Sequence, residues 1–462
     1  MNNVILHLGL GSFHRAHQAV YLHRLIEQGD TSWSLAGGNI RADMADTVAA
    51  LAAQGGEYTL ETVSPAGERV YERIRSIKKI IPFEPDLAGL VDVGARATTK
   101  IISFTVTEAG YYLDAKNKLD LSYADLRADL EGRTCSTIYG AVTAILRERM
   151  SRGNGPVTLL NCDNLRSNGE RFRSGLLDFL ARRGKSALAA WVEANTSCPN
   201  DMVDRITPRP SPDVAERVKA ATGWDDRAAV MGESFIQWVI EDRFIAGRPA
   251  WEKAGAEMVS SVHAYEEAKI RILNATHSCV AWAGTLRGLS FIHEDLAVPE
   301  IRQMGYDYVT NDVIPCLDTP EHPCPIDLAK YRDVVIDRFS NRYVRDTNQR
   351  VAMDGFSKIP GFIVPTLRER LERGLSIAAV ARLPMLFLAF LERWHAGKLP
   401  YAYQDQVMSP ELGHAICSAH NPVEAFVHQQ ALWGDLTDDP RLTRAFEFAR
   451  REIRTFEAEA GS

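Results

Sequence analysis

A chain of 462 residues is long enough for two or three domains and a sizeable core. With 45% hydrophobic and 24% charged residues its composition is that of an ordinary globular protein, which excludes a disordered, collagenous or disulfide-scaffold chain. Acidic residues number 60 against 53 Lys and Arg, a net charge of -7, so neither a nucleic-acid surface nor a basic stripe for anionic lipid is expected. The longest nearly unbroken apolar run, residues 383–391, is far short of the roughly 20 residues that a membrane helix needs. The N-terminus, MNNVILHLGLG, lacks the basic and cleavage segments of an export signal. Seven scattered cysteines (135, 162, 198, 279, 316, 324 and 417) form no C-x-x-C pair, and a reduced cytoplasm is the expected location.

Along the chain, residues 4–8 predict a short strand that runs into Gly9-Leu10-Gly11, and helical spacing follows over 15–28 until Gly29 closes it. Further strands are predicted at 33–38, 57–63, 100–106 and 157–160, with a helix at 45–53. Strands alternating with helices imply parallel βαβ units, so the first half is expected to be α/β with a doubly wound parallel sheet of the dinucleotide-binding, or Rossmann, type. After about residue 260 strand patterns vanish, and helices are predicted at 264–286, 384–396, 422–432 and 442–456, with Pro384 and Pro422 in first-turn positions. The expected domains are 1–262, the sheet domain, and 263–462, mainly α-helical. No Pro/Gly/Ser-rich linker separates them, so close packing with a cleft between the halves is expected.

Five motifs carry candidate chemistry. In Gly9-Leu10-Gly11-Ser12-Phe13-His14-Arg15 the glycines let the backbone turn sharply beside a pyrophosphate, and the helix that follows offers free N–H groups. His14 stands where the usual third glycine would be, and a plain α/β turn remains the alternative. The acid that normally holds the adenosine ribose after the second strand is missing, because residues 37–41 read GGNIR; Asn39 can pair with a ribose hydroxyl, while Arg41 suits a 2′-phosphate or a solvated surface. Lys269, Asn274 and His277 lie within one predicted helix. At about 100° per residue Asn274 and His277 fall about 140° and 80° around the axis from Lys269, one side that is either functional or simply wet. Asn161-Cys162-Asp163-Asn164 follows a strand, where a doubly wound sheet opens its ligand crevice, or is an Asx-rich turn. Asp204-Arg205-Ile206-Thr207-Pro208-Arg209 and Arg350 to Lys358 mix charges that read by default as surface ion pairs. Glu108, past the strand at 100–106, falls near the same crevice, as a proton relay or as a turn cap. Metal and hydrolase motifs are lacking, and Cys316, His322 and Cys324 sit in a Pro-rich stretch that reads as a loop rather than a zinc site.

Taken in order, GLGSFHRAH (9–17), TVTEAGYY (105–112), NCDN (161–164), MVDRITPR (202–209), GESFIQWVIED (232–242), K-x4-N-x2-H (269–277) and the 350–358 stretch resemble the polyol-specific long-chain dehydrogenases of the mannitol dehydrogenase family over nearly the whole chain. The resemblance implies metal-independent, NAD-linked oxidation of a sugar alcohol to a ketose, with D-arabinitol favoured and a mannitol, ribitol or hexuronate enzyme as the alternative. It implies Lys269 as acid/base, Asn164 and Asn274 as the pair that polarises the reacting oxygen, and His277 as a substrate-orienting residue. Arg350, Lys358 and Asp204 are implied at the substrate, and Gly9, Gly11, Ser12, Phe13, His14, Arg15, Asn39, Thr107 and Glu108 at NAD. The residue types suit the chemistry: hydride leaves a secondary alcohol carbon only as its hydroxyl proton departs, so a base must reach that oxygen, and a lysine serves if desolvation and nearby cations lower its pKa towards about 7 to 8. A small-molecule polyol is thus the expected partner, without nucleic acid or membrane, for a monomer or small homo-oligomer. A cofactor-binding regulator without turnover is the reading of another class.

Overall fold

The computed structural model describes residues 3–114, 117–208 and 211–459. It divides into two compact units, one of residues 1–64 and 68–263, the other of residues 65–67 and 264–462.

In the first unit six strands form one sheet: β1 (Asn3–Leu8), β2 (Trp33–Gly38), β3 (Ile77–Ile80), β4 (Thr99–Phe104), β5 (Val157–Asn161) and β6 (Thr196–Ser197). Their order is β3-β2-β1-β4-β5-β6 and every pairing is parallel, which is the doubly wound arrangement expected from the alternating pattern. Because successive strand residues point to opposite faces, β1 builds two cores at once. Leu6 and Leu8 pack with Ile102, Phe104, Tyr139 and Phe172, while Ile5 packs with Ile101, Val20, Leu22, Trp238 and Trp251. Leu6 and Ile102 are fully buried, and each such side chain contributes about 2 kcal/mol by leaving water. A sheet covered on both faces needs these apolar runs, which is why its strands were legible.

Three predictions for this half differ from what is observed. The strand predicted at 57–63 forms as Tyr58–Val63 but leaves the main sheet; it pairs antiparallel with Arg69–Ile74 and parallel with Val230–Glu233, because the hairpin at its end supplies a closer partner than β2 does. The third place in the main sheet goes to β3 instead. The helix predicted over 15–28 is two helices, Ser12–Ala16 and Gln18–Glu27, broken at His17. There the backbone turns to φ -128° and ψ -88°, and the imidazole is taken up by Gln237 O at 2.8 Å and by the Gln18 amide at 3.0 Å. The strand predicted over 100–106 ends at Phe104, which frees residues 105–107 from the ladder.

The second unit is helical, and among its described residues the only β pairing is the isolated bridge Phe291 to Thr347. The helix predicted at 442–456 runs as Pro440–Ala458, buries Leu442, Phe446, Ala449, Ile453 and Phe456 along one stripe, and is capped by the Asp439 carboxylate on Arg441 N. Pro422 opens its helix as predicted, although that helix stops at Val427 and Gln430–Trp433 follows as a separate turn. Pro384 does not stand in a first turn; it lies inside Ala378–His395. A proline there forgoes a helical hydrogen bond, and the fully buried Leu383, Leu386, Phe387 and Phe390 hold the helix together around it. No helix among the described residues is long and apolar enough to cross a membrane.

Candidate active site

The candidate residues fall into two groups, one in each unit. In the first unit a cavity of about 500 Å³ opens at the carboxyl ends of β1, β2 and β4, lined by Gly9, Gly11, Phe13, His14, Asn39 and Thr107 among others. Gly9 has φ +116°, a conformation that glycine tolerates, and a Cβ at Gly9 or Gly11 would meet nothing within 4 Å, so the backbone here lies open to a ligand. The imidazole of His14 stacks on His7 of β1 with centroids 3.5 Å apart, and His7 Nδ1 lies 2.8 Å from Ser103 Oγ of β4. In place of a third glycine, this stack joins the turn to the sheet. Burial pushes both imidazoles down, His14 to about 3, with the neighbouring Arg15 charge acting the same way on it. They are therefore neutral hydrogen-bonding groups at working pH.

Asn39 spends its amide on the turn itself: Oδ1 accepts from Leu10 N at 2.8 Å, and Nδ2 donates to Asp43 O at 3.0 Å. Ser12 and Arg15 do not line the cavity. Ser12 opens the short helix, while Arg15 is buried under Leu10 O and Ala228 O, its guanidinium 5.5 Å over the Tyr58 ring, and so ties the turn to the small sheet. The Glu108 side chain and Arg209 lie outside the described part of the structure. A volume within the usual range for small-ligand sites, an open glycine backbone and neutral donors suit a dinucleotide.

At the end of β5, Asn161 Nδ2 donates to the Tyr111 hydroxyl at 2.5 Å, and that hydroxyl donates to Asp163 Oδ2 at 2.6 Å. Burial pushes the Asp163 carboxyl up to about 7 against the pull of the Tyr111 bond. Asn164 is the residue of this cluster that reaches the surface. Asp204 ends the strand Asp201–Asp204 and is 4% exposed. Its neighbour Arg205 is no surface ion pair: it is buried and donates to Glu233 O at 2.9 Å and to Ala16 O at 2.6 Å, which fixes the end of the first helix.

In the second unit, Lys269, Asn274 and His277 lie on one helical run, but Lys269–Asn274 is a π turn between the α segments His263–Ala268 and Ala275–Leu286. With hydrogen bonds from i to i+5 each residue turns by about 80° rather than 100°. Asn274 then falls about 40° from Lys269, and His277 about 20° to the other side, a far narrower stripe than uniform α geometry predicts. Lys269 is only 6% exposed. The turn is held from outside: the Tyr308 hydroxyl donates to Arg271 O at 2.8 Å, and the Arg271 guanidinium donates to Thr366 Oγ1 at 2.9 Å and Glu369 Oε2 at 3.0 Å.

His277 stacks on Phe339 at 4.2 Å, and its Nε2 stands 3.2 Å from Asp346 Oδ2. Arg350 binds the same carboxylate with two bonds, of 2.6 and 2.5 Å. Burial opposes ionisation of Asp346, yet the bonds from His277 and Arg350 outweigh it and hold the carboxyl well below the usual range. The His277 pKa is lowered, chiefly by burial, with Asp346 opposing. Lys358 Nζ donates to Val351 O at 2.7 Å, next to Arg350. The sequence gives no local sign of Asp346 or Tyr308, and Tyr111 stands within the 105–112 motif without a role that its neighbours reveal. His7 leaves a sign, a lone imidazole in an apolar strand.

A parallel sheet in this order, opening at its carboxyl edge onto a glycine-turn cavity, in a chain that also bears an aligned lysine, amide and imidazole, marks a nucleotide-dependent dehydrogenase. Residues 3–253 match the mannitol dehydrogenase Rossmann domain and residues 261–454 the mannitol dehydrogenase C-terminal domain. The chain belongs to the mannitol dehydrogenase family. It is 60% identical over 458 residues to a D-arabinitol 4-dehydrogenase of Ralstonia nicotianae, covering 98% of this chain and 97% of that one. It is 56% identical over 441 residues to a D-arabinitol 4-dehydrogenase of Klebsiella pneumoniae, covering 95% of this chain and 96% of that one. Among solved structures it resembles the Pseudomonas fluorescens mannitol 2-dehydrogenase ternary complex with NAD and D-mannitol, at 32% identity and TM-score 0.85, with 100% of this chain and 94% of that chain covered.

Two outcomes follow from this geometry. Tyr308→Phe removes the hydroxyl that satisfies Arg271 O and should lower stability by about 1 to 3 kcal/mol, read by denaturant unfolding; an unchanged midpoint would show that the π turn does not depend on it. Asp163 has its folded pKa raised above the unfolded value, so the native state loses stability as pH rises from about 4 to 7. Asp163→Asn should therefore gain on the wild type in melting temperature between pH 5 and 7.5, and a constant difference across that window would contradict the assignment.

Proposed function

We propose that the protein oxidises a sugar alcohol at a secondary hydroxyl to the ketose, with D-arabinitol to D-xylulose as the favoured pair and NAD as coenzyme. The observation that carries the reading is the stripe of Lys269, Asn274 and His277 that the π turn aligns. The 60% identity to a D-arabinitol 4-dehydrogenase supports the substrate. Residues 1–262 would hold the dinucleotide, through Gly9, Gly11, Phe13, His14 and Thr107, and residues 263–462 would supply substrate contacts and the base.

When bound, NAD supplies the acceptor for the hydride that leaves the alcohol carbon. Lys269 Nζ takes the hydroxyl proton, as a general base must for the carbonyl to form. Asn274 donates an amide N–H to the oxygen as negative charge develops on it, stabilising the alkoxide without adding net charge, a role that the family resemblance implies for Asn164 as well. His277, kept neutral by burial with Nε2 towards Asp346, has Nδ1 left as an acceptor that orients a substrate hydroxyl. Arg350 and Lys358 contact further hydroxyls. A hexuronate reductase of the same family is the second reading, because its substrate would need a cation. Asp346 already occupies the Arg350 guanidinium with two bonds, which favours an uncharged polyol. All seven cysteines carry free thiols, in keeping with a reduced cytoplasm.

The test is to supply D-arabinitol, D-mannitol, ribitol and xylitol in turn with NAD and to follow NADH absorbance. D-Arabinitol should give the fastest turnover; reduction of a hexuronate with silence on every polyol would overturn the substrate class, and NAD binding with no turnover at all would favour a regulator. Lys269→Ala should lower kcat by about 10² to 10⁴ with NADH binding retained, and alcohol oxidation by the wild type should rise with pH. Turnover within tenfold of the wild type would remove Lys269 from its role.

A further inference from the structure

Arg350 and Lys358, the two cations proposed at the substrate, stand on separate short helices, Asn348–Ala352 and Gly355–Lys358. The first is fixed by Thr347, whose hydroxyl accepts from Arg350 N at 3.2 Å, and by the Asp346 pair. The second is a single turn, too short to hold its own shape. Asp354 before it does not cap it: that residue takes a left-handed φ of +57° and gives its carboxylate to Gln406 N at 3.0 Å. The cap comes instead from 49 residues further along the chain. Asp405 Oδ2 accepts from Phe356 N at 2.8 Å, and the Tyr403 hydroxyl accepts from Gly355 N at 3.1 Å while donating to the same carboxylate oxygen at 2.6 Å. Asp354 N donates to Gln404 O at 3.1 Å, so the two segments are clasped along their backbones as well.

The clasping segment has anchors of its own. Asp405 Oδ1 accepts from Val407 N and Met408 N, both at 3.1 Å, and the Tyr403 ring stands edge-on to Phe390 of the helix Ala378–His395, with centroids 5.1 Å apart. Gly355 completes the fit, since a Cβ there would run into the Phe387 ring of that helix. At the far end of the clasped turn Lys358 Nζ donates to Val351 O at 2.7 Å, one residue from Arg350.

We propose that Asp405, with Tyr403, is a positioning residue for the substrate: it sets the register of Lys358 against Arg350, and with it the affinity for the polyol hydroxyls beyond the reacting carbon. The inference rests on the reading of Arg350 and Lys358 as substrate contacts and adds the residue that places one against the other. Donors in a binding site must be held to within about 0.5 Å, and a single turn whose first N–H groups lose their acceptors loses that precision. Contacts remote from the reacting carbon are made alike in the ground state and the transition state, so weakening them raises KM and leaves kcat near its value.

The test is a double-mutant cycle in steady-state oxidation, with saturating NAD, of the polyol that the enzyme turns over fastest, D-arabinitol on the reading above. Lys358→Ala should raise KM about tenfold or more. Asp405→Ala should raise KM about fivefold to tenfold, with kcat within about twofold of the wild type and NADH affinity unchanged. In the Lys358→Ala background the same change should move KM by less than about 1.5-fold, because the group it positions is gone. Tyr403→Phe, which removes the hydroxyl and keeps the ring on Phe390, should raise KM about threefold to fivefold and lose its effect in the same way, and it decides the matter if Asp405→Ala does not fold. An equal rise in both backgrounds, or an unmoved KM in the folded variants, would overturn the positioning role and leave Lys358 at the substrate. An unmoved KM in Lys358→Ala would overturn the substrate reading of Lys358 and the inference with it.

Discussion

The widened helical turn at Lys269–Asn274 is the constraint on which the proposed chemistry depends. A uniform α-helix would spread Lys269, Asn274 and His277 over more than a third of its circumference, too wide for one small oxygen-bearing carbon to meet all three. The π turn narrows that arc, but it interrupts the regular ladder and must be held by its surroundings. Tyr308 supplies a hydroxyl to Arg271 O, and the buried Arg271 side chain is anchored by Thr366 and Glu369, so the backbone irregularity is fixed by side chains from other helices. A mobile loop would hold the same three groups less well, because acid–base catalysis and charge stabilisation both fall off steeply when donors are misplaced.

A second theme is the control of charge. His7 and His14 are kept neutral by burial, Asp346 takes up Arg350, and Asp125 takes up Arg41. Each device presents hydrogen bonds without a free ion. For a substrate made of hydroxyl groups the Asp346–Arg350 pair is the appropriate surface, since a polyol offers donors and acceptors but no charge to pair with a bare cation. Orientation and discrimination then come from fixed dipoles rather than from ion pairing, and a carboxylate-bearing analogue gains nothing from the Arg350 pair as it stands.

Much of this was legible in the sequence, for identifiable reasons. The parallel sheet shows in its doubly buried apolar strands, and the glycine turn shows because Gly9 and Gly11 stand directly behind one of them. The π turn does not show, since KIRILN contains no glycine or proline and its apolar residues fit α periodicity equally well. The small sheets escaped because Asp201–Asp204 and Val230–Glu233 are four residues long and carry charged ends. Pro384 misled because a proline near the start of an apolar run resembles a first turn, whereas tertiary packing lets the helix begin six residues earlier. Asp346 and Asp125 were invisible because the groups they serve, His277 and Arg41, are distant in the chain and carboxylates are common there.

The central claim is that Lys269 is the proton acceptor, and amine rescue of Lys269→Ala tests it most directly. Supplied with NAD and D-arabinitol, the variant should recover turnover in proportion to the concentration of unprotonated methylamine or ethylamine, with the more basic amine more effective at equal access. No recovery with any small amine, in a variant that folds and binds NADH like the wild type, would contradict the account.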